Sequence, residues 1–208
     1  MKIKICGITR LDDALAAVEE GADALGFIFA QESPRCIDPE AAAAIIRHLP
    51  PLVTPVGVFV DATREVICET VAASGVQCLQ MHGDEKPSDV ENYPIPVIKS
   101  FRVGDGFDVS RLAQYRSSAY LLDTFVDGKH GGTGKTFDWE VALKSKSFGR
   151  VIISGGLTSE NVGLAIRTVR PFGVDVNSGV EAAPGTKDRE KLRRFFAAAR
   201  SAEFERES

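Results

Sequence analysis

The chain has 208 residues, a formal net charge of −4, 44% hydrophobic residues and 26% charged residues. That is enough chain for one core and an ordinary globular composition, which excludes a disordered or collagen-like polymer, and no apolar run is long enough to span a bilayer. The acidic balance excludes an overall basic footprint, so neither nucleic acid nor a membrane is expected as a partner.

Short β-branched runs alternate with helical stretches from end to end. Strands are predicted over 2–6, 24–29, 54–60, 76–81, 96–101, 119–123, 150–154 and 173–176. Several are almost wholly apolar, as strands covered on both faces should be. Helices are predicted over 11–20, 39–49, 63–73, 139–146, 159–169 and 187–200, with two short, weak ones over 85–93 and 109–115. Thr9-Arg10-Leu11-Asp12 reads as a capping pattern, Asp38 as a cap before Pro39, and Asp61 as a cap for the helix after strand three. Eight strands and about eight helices suit a closed parallel (β/α)8 barrel (TIM barrel) or a doubly wound open sheet, and length alone does not decide between them. The dinucleotide fingerprint is missing after strand one, where Cys6-Gly7-Ile8-Thr9 stands. No linker divides the chain. One catalytic domain over 1–200 is expected, with a polar, frayed tail over 201–208.

Cysteines occur at 6, 36, 68 and 78, with no C-x-x-C pair, and the first residues carry no signal-peptide core. Free thiols in a reducing cytoplasm are expected. Histidines 48, 82 and 130 lack metal-ligand spacing, so no metal is expected.

In a barrel, the active site lies at the C-terminal ends of the strands. Those positions hold Cys6, Ser33-Pro34-Arg35, Asp61, His82, Arg102, Asp123, Gly155-Gly156 and Asn177-Ser178-Gly179. The small-residue turns after strands seven and eight suit a phosphate, because glycine lets backbone N–H groups approach an anion. Gly131-Gly132-Thr133-Gly134-Lys135-Thr136 resembles a Walker A loop but has Lys129 where that motif needs glycine, so a ligand-covering loop is the better reading. Cys6 is either a core thiol or an activated thiolate. Cys68 and Cys78 are expected in the core, and Cys36 is open to either reading. Asp123 closes an apolar run, where a carboxylate is either hydrogen-bonded structurally or kept for proton transfer. Arg35 is a planar fork suited to a carboxylate. His82 either donates to a ligand or orders its loop.

Taken together, these runs resemble the phosphoribosylanthranilate isomerase family of tryptophan biosynthesis. The resemblance is carried by Lys4-Ile5-Cys6-Gly7-Ile8-Thr9, Ser33-Pro34-Arg35, Val56-Gly57-Val58-Phe59-Val60-Asp61, Leu79-Gln80-Met81-His82-Gly83, Leu122-Asp123-Thr124, Gly131 to Trp139, Gly155-Gly156-Leu157-Thr158-Ser159-Glu160-Asn161-Val162 and Gly173 to Glu181. Asn177, Met81 and Ser154 stand where serine, leucine and alanine are usual. The resemblance implies a (β/α)8 barrel that works without cofactor or metal on a small phosphorylated substrate, as a monomer with a dimer as the alternative. It implies Cys6 as general base and Asp123 as general acid. It places Arg35 on the anthranilate carboxylate, His82 and Asp175 near the substrate, and Gly134, Gly155, Gly156, Ser178 and Gly179 around the phosphate.

Three other readings compete. The related histidine-pathway isomerase would carry an aspartate at Cys6 and a second phosphate site. A phosphosugar aldolase would need a Schiff-base lysine, for which Lys99 is the candidate. A binding-only barrel would leave Cys6 and Asp123 dispensable.

Overall fold

The computed structural model describes residues 1–104, 106–123 and 139–204. Eight parallel strands, β1 (Lys2–Ile5), β2 (Ala24–Ile28), β3 (Thr54–Phe59), β4 (Cys78–Met81), β5 (Val97–Arg102), β6 (Ala119–Asp123), β7 (Val151–Ser154) and β8 (Gly173–Val176), form one closed barrel. The ring closes where β1 pairs with β8, Lys4 beside Asp175. That seam excludes the open sheet. Helices α1 (Leu11–Glu20), α2 (Pro39–Ile46), α3 (Arg64–Ser74), α4 (Pro87–Val90), α5 (Trp139–Ser145), α6 (Val162–Val169) and α7 (Arg189–Phe204) lie between and after the strands. A 3₁₀ helix, Val109–Gln114, takes the β5–β6 connection, and a short one, Ser178–Val180, follows β8. A small hairpin, β9 (Glu181–Ala183) and β10 (Thr186–Lys187), precedes α7.

Strand periodicity sorts the residues. Ile3, Ile5, Leu25, Phe27, Leu122, Ile153 and Val174 belong to the large apolar cluster that includes the helices. Their alternates Val56, Cys78, Ile98, Ala119, Leu121 and Ile152 form a separate, smaller cluster inside the barrel. Two residues further along β4, β5, β6 and β7, the inward positions turn polar: Gln80, Ser100, Asp123 and Ser154. The barrel thus has an apolar floor under a polar mouth, and period-2 alternation is what carries each chemical side chain into that mouth.

Several element ends differ from expectation. Helix α7 runs past Arg200 to Phe204 because Ala202 is fully buried and the Met1 amino group pairs with Glu203. Thr9 does not cap α1, since its hydroxyl donates to the Gly185 carbonyl at 2.6 Å, and Asp38 makes no side-chain cap. Thr63 caps α3, accepting from the Val66 N–H at 3.4 Å. Asp61 is engaged elsewhere. Its carboxylate accepts from the Asp84 N–H at 2.7 Å and ties the β3 loop to the β4 loop. Helix α6 begins at Val162, three residues later than expected.

Candidate active site

A cavity of about 290 Å³ opens at the C-terminal ends of the strands. Cys6, Gln80, His82, Asp123, Ser154 and Asp175 line it, with Gly155, Gly156, Ser178 and Gly179 at its rim. Strand ends from β1, β4, β6, β7 and β8 thus bring most of the expected site residues together.

On one wall, Cys6 is 4% exposed. Burial, with Asp175 working alongside it, holds the thiol pKa above the usual thiol value, and the Lys4 ammonium offsets part of that rise. Lys4 Nζ donates to Asp175 Oδ1 at 2.7 Å, and Ser154 Oγ donates to Asp175 Oδ2 at 3.1 Å. Burial works against the Lys4 ammonium, but Asp175 and Cys6 outweigh it and hold its pKa above the usual lysine range. Gly26 makes the room for this pair. A Cβ there would lie 2.7 Å from Cys6 Sγ and 3.1 Å from Lys4 Nζ. Of the other cysteines, Cys78 lies in the barrel floor with its thiol pushed up by burial to about 11, and Cys36 is exposed. Cys68 is also exposed, contrary to expectation: α3 buries Ile67, Thr70 and Ser74, and Cys68 falls off that stripe.

On the opposite wall, His82 Nε2 lies 3.2 Å from Asp123 Oδ2, and His82 Nδ1 lies 2.9 Å from Gln80 Nε2. At the rim, Gly155 and Gly156 both have positive φ, 91° and 60°. Gly179 passes so close to the β7 loop that a Cβ would collide with the Leu157 carbonyl oxygen. Asn177 turns its side-chain oxygen to Lys187 Nζ at 3.0 Å. Gly134 and the surrounding 131–136 loop lie outside the described residues.

Arg35 sits beside this cavity, and its carboxylate partner in the structure is internal. Arg35 Nε and Nη2 fork onto Glu181, the shortest contact being 2.6 Å, and Lys187 Nζ reaches the same carboxylate at 3.0 Å. Burial works against the Glu181 carboxylate, yet Arg35 and Lys187 hold its pKa below the usual range. Among the described residues, Arg35 Nη1 has no protein partner. Lys99 faces away from the barrel interior and is 2% exposed; it pairs with Glu85 at 2.8 Å and donates to the Gly83 carbonyl, also at 2.8 Å. An ammonium so fully engaged, outside the main cavity, is a poor Schiff-base nucleophile.

The family model described as N-(5'phosphoribosyl)anthranilate (PRA) isomerase matches residues 3–198. The chain belongs to the PRA isomerase family. An N-(5'-phosphoribosyl)anthranilate isomerase of Geobacter sp. (strain M21) is 52% identical over 199 residues, covering 96% of this chain and 98% of that one. The crystal structure of the phosphoribosyl anthranilate isomerase of Thermotoga maritima superposes with a TM-score of 0.89 at 45% identity, covering 97% and 99%. Another PRA isomerase structure, in complex with reduced 1-(o-carboxyphenylamino)-1-deoxyribulose 5-phosphate, gives a TM-score of 0.87 at 42% identity, with the same coverage.

In this PRA isomerase family member, sequence reading missed Lys4, Gln80 and Glu181. Lys4 and Gln80 each stand two residues before a singled-out side chain, Cys6 and His82, so strand alternation alone puts them on the same inward face. Glu181 carried no local signal, because its partner Arg35 is 146 residues away.

Proposed function

We propose that this chain isomerises N-(5'-phosphoribosyl)anthranilate to 1-(o-carboxyphenylamino)-1-deoxyribulose 5-phosphate, with Asp123 as general acid and Cys6 as general base. The observation that carries this reading is that a thiol beside a buried ammonium and a carboxyl group held by a histidine line one cavity, on β1 and β6. Membership of the family supports the activity, and a relative in complex with a reduced product supports the substrate class.

Asp123 gives its proton to the furanose ring oxygen. The C1'–O bond breaks and the nitrogen lone pair closes a Schiff base at C1'. The Cys6 thiolate then takes the C2' proton, the electron pair left behind forms the C1'=C2' bond, and the C1'=N pair returns to nitrogen, giving an enolamine. Tautomerisation of the enolamine gives the ketone, and exchange with solvent returns Cys6 to thiolate and Asp123 to acid, so the reaction is a rearrangement with no net proton change. Arg35 would take the anthranilate carboxylate through Nη1, its other edge being held rigid by Glu181. The turns at Gly155-Gly156 and Ser178-Gly179 would take the phosphate, with Gly134 as a further contact, and His82 and Asp175 would stand beside the sugar. Among the described residues no helix is long and apolar enough to cross a membrane. Four free thiols support a cytoplasmic setting.

The direct test follows the loss of anthranilate fluorescence when phosphoribosylanthranilate is generated in situ and the protein is added. Loss no faster than the uncatalysed background would overturn the proposal.

A further inference from the structure

Gln80 and His82 stand two residues apart at the end of β4, on the face that looks into the barrel. Gln80 is 1% exposed. Its Nε2 meets His82 Nδ1 at 2.9 Å, and His82 Nε2 meets Asp123 Oδ2 at 3.2 Å. Amide, imidazole and carboxyl group thus form a chain from β4 to β6, passing over β5. Among the described residues the Gln80 oxygen has no hydrogen-bond partner, so the amide is held by its donor end. An amide nitrogen can only donate. Nδ1 must then accept, and a neutral imidazole that accepts at Nδ1 carries its proton on Nε2. That N–H points at Asp123.

We propose that Gln80 is a positioning residue for the isomerisation: it fixes His82 as the Nε2–H tautomer, so that the ring donates to the Asp123 carboxylate as that group gives up its proton. The proposal rests on the reading of Asp123 as the acid. Its logic is differential. Before ring opening Asp123 is a neutral carboxylic acid and gains little from a donor. As the proton leaves, negative charge grows on the carboxylate, and a donor already in place strengthens with it. Such a contact stabilises the transition state more than the bound substrate, so its loss falls on kcat rather than KM. Glutamine can hold this tautomer and glutamate cannot. An ionised carboxylate at position 80 would accept from Nδ1–H, turn the tautomer over, and leave a lone pair on Nε2 facing Asp123.

The test uses the full chain labelled with ¹⁵N-histidine, as wild type, Gln80→Met and Gln80→Glu. The chain has three histidines, and His82→Asn assigns the signal of interest. The wild type should show His82 protonated at Nε2. Gln80→Met, which removes the bond, should give a tautomer mixture and lower kcat about 10- to 100-fold, the range for losing a hydrogen bond to a group that becomes charged, with KM changed less than about twofold. Gln80→Glu, which keeps size and reach, should shift the proton to Nδ1 and lower kcat at least as far. A part that only filled space would survive the glutamate. A wild-type His82 protonated at Nδ1, or a folded Gln80→Met with unchanged kcat, overturns the inference by itself. Full turnover in Asp123→Asn would instead sink the acid reading, and with it the purpose assigned to Gln80, while leaving the wild-type tautomer as found. If Gln80→Met does not fold, the wild-type tautomer and the glutamate variant still decide.

Discussion

Lys4 Nζ and Asp175 Oδ1 meet at 2.7 Å across the seam that closes the barrel, each side chain 5% exposed. The Lys4 end of the pair places a positive charge beside a thiol whose pKa burial and Asp175 hold up, and Lys4 offsets part of that rise. A buried thiol is a poor base unless something stabilises its thiolate, and Lys4 is that group.

Lys4→Gln should therefore move the acid limb of the kcat/KM profile. The sign follows from which form works. With Cys6 as the proposed base, activity should need the thiolate and rise with pH through the thiol's pKa. Removing the ammonium raises that pKa, so the limb should move to higher pH, by about one to three pH units for the loss of an adjacent opposite charge. Glutamine still offers Asp175 a donor, which limits the cost of about 3–5 kcal/mol expected when a buried pair loses one partner outright. An unmoved limb in the folded variant would remove Lys4 from the control of Cys6.

Cys6→Ser should lower kcat about 10²- to 10⁴-fold, because a hydroxyl is a far weaker base at neutral pH. Thiol labelling needs care, since Cys36 and Cys68 are exposed and Cys6 is buried. In a Cys36→Ala, Cys68→Ala background, iodoacetamide inactivation should track alkylation of Cys6 and be slowed by a bound product analogue. Inactivation without label on Cys6, mapped by mass spectrometry, would argue against its role.

The barrel was legible because both faces of its strands are apolar in different ways, and that pattern lies within five or six residues of chain. The strand ends then pointed to Cys6, His82 and Asp123 without any contact being known. What was not legible depends on pairings made only by closure. Lys4 looks like an interruption in an apolar strand until β8 arrives beside it with Asp175. Arg35 reads as a free fork until Glu181 occupies most of it. Cys68 read as core because a helix one residue out of phase looks the same in composition.

Arg35→Met should raise KM more than it lowers kcat. The proposed contact to the anthranilate carboxylate would be made in ground and transition states alike. A charged hydrogen bond is worth about 1.5–3 kcal/mol, roughly 10- to 100-fold in KM. The variant also leaves Glu181 with Lys187 as its remaining cation, so the melting temperature should fall. A kcat loss with unchanged KM would place Arg35 at the reacting centre instead.

Gly179→Ala should weaken the binding of a phosphorylated product analogue more than Gly156→Ala does. At Gly179 the new methyl group meets the Leu157 carbonyl and must push the β8 loop off the β7 loop. At Gly156 the space is open, and the penalty is the left-handed backbone alone, about 1–2 kcal/mol. Titration calorimetry with the analogue decides; equal, wild-type affinities would mean these turns shape the chain without holding the phosphate.

Asp123→Asn should lower kcat about 10²- to 10⁴-fold and leave the dissociation constant of a product analogue within about threefold. The amide fills the same space, and its oxygen can still accept from His82, so the cavity keeps its shape. It has no proton acidic enough to give the ring oxygen, and ring opening becomes the slow step. That change of step gives a second readout. With substrate deuterated at C2', the isotope effect on kcat should fall towards unity in Asp123→Asn, because the C–H bond breaks after the barrier that now limits turnover. In Cys6→Ser the same isotope effect should rise, because proton removal from C2' is the step made slow. The two variants thus separate acid from base even if their rates fall equally. An isotope effect that rises in Asp123→Asn would exchange the two roles, and near wild-type kcat in both variants would remove Cys6 and Asp123 from the mechanism.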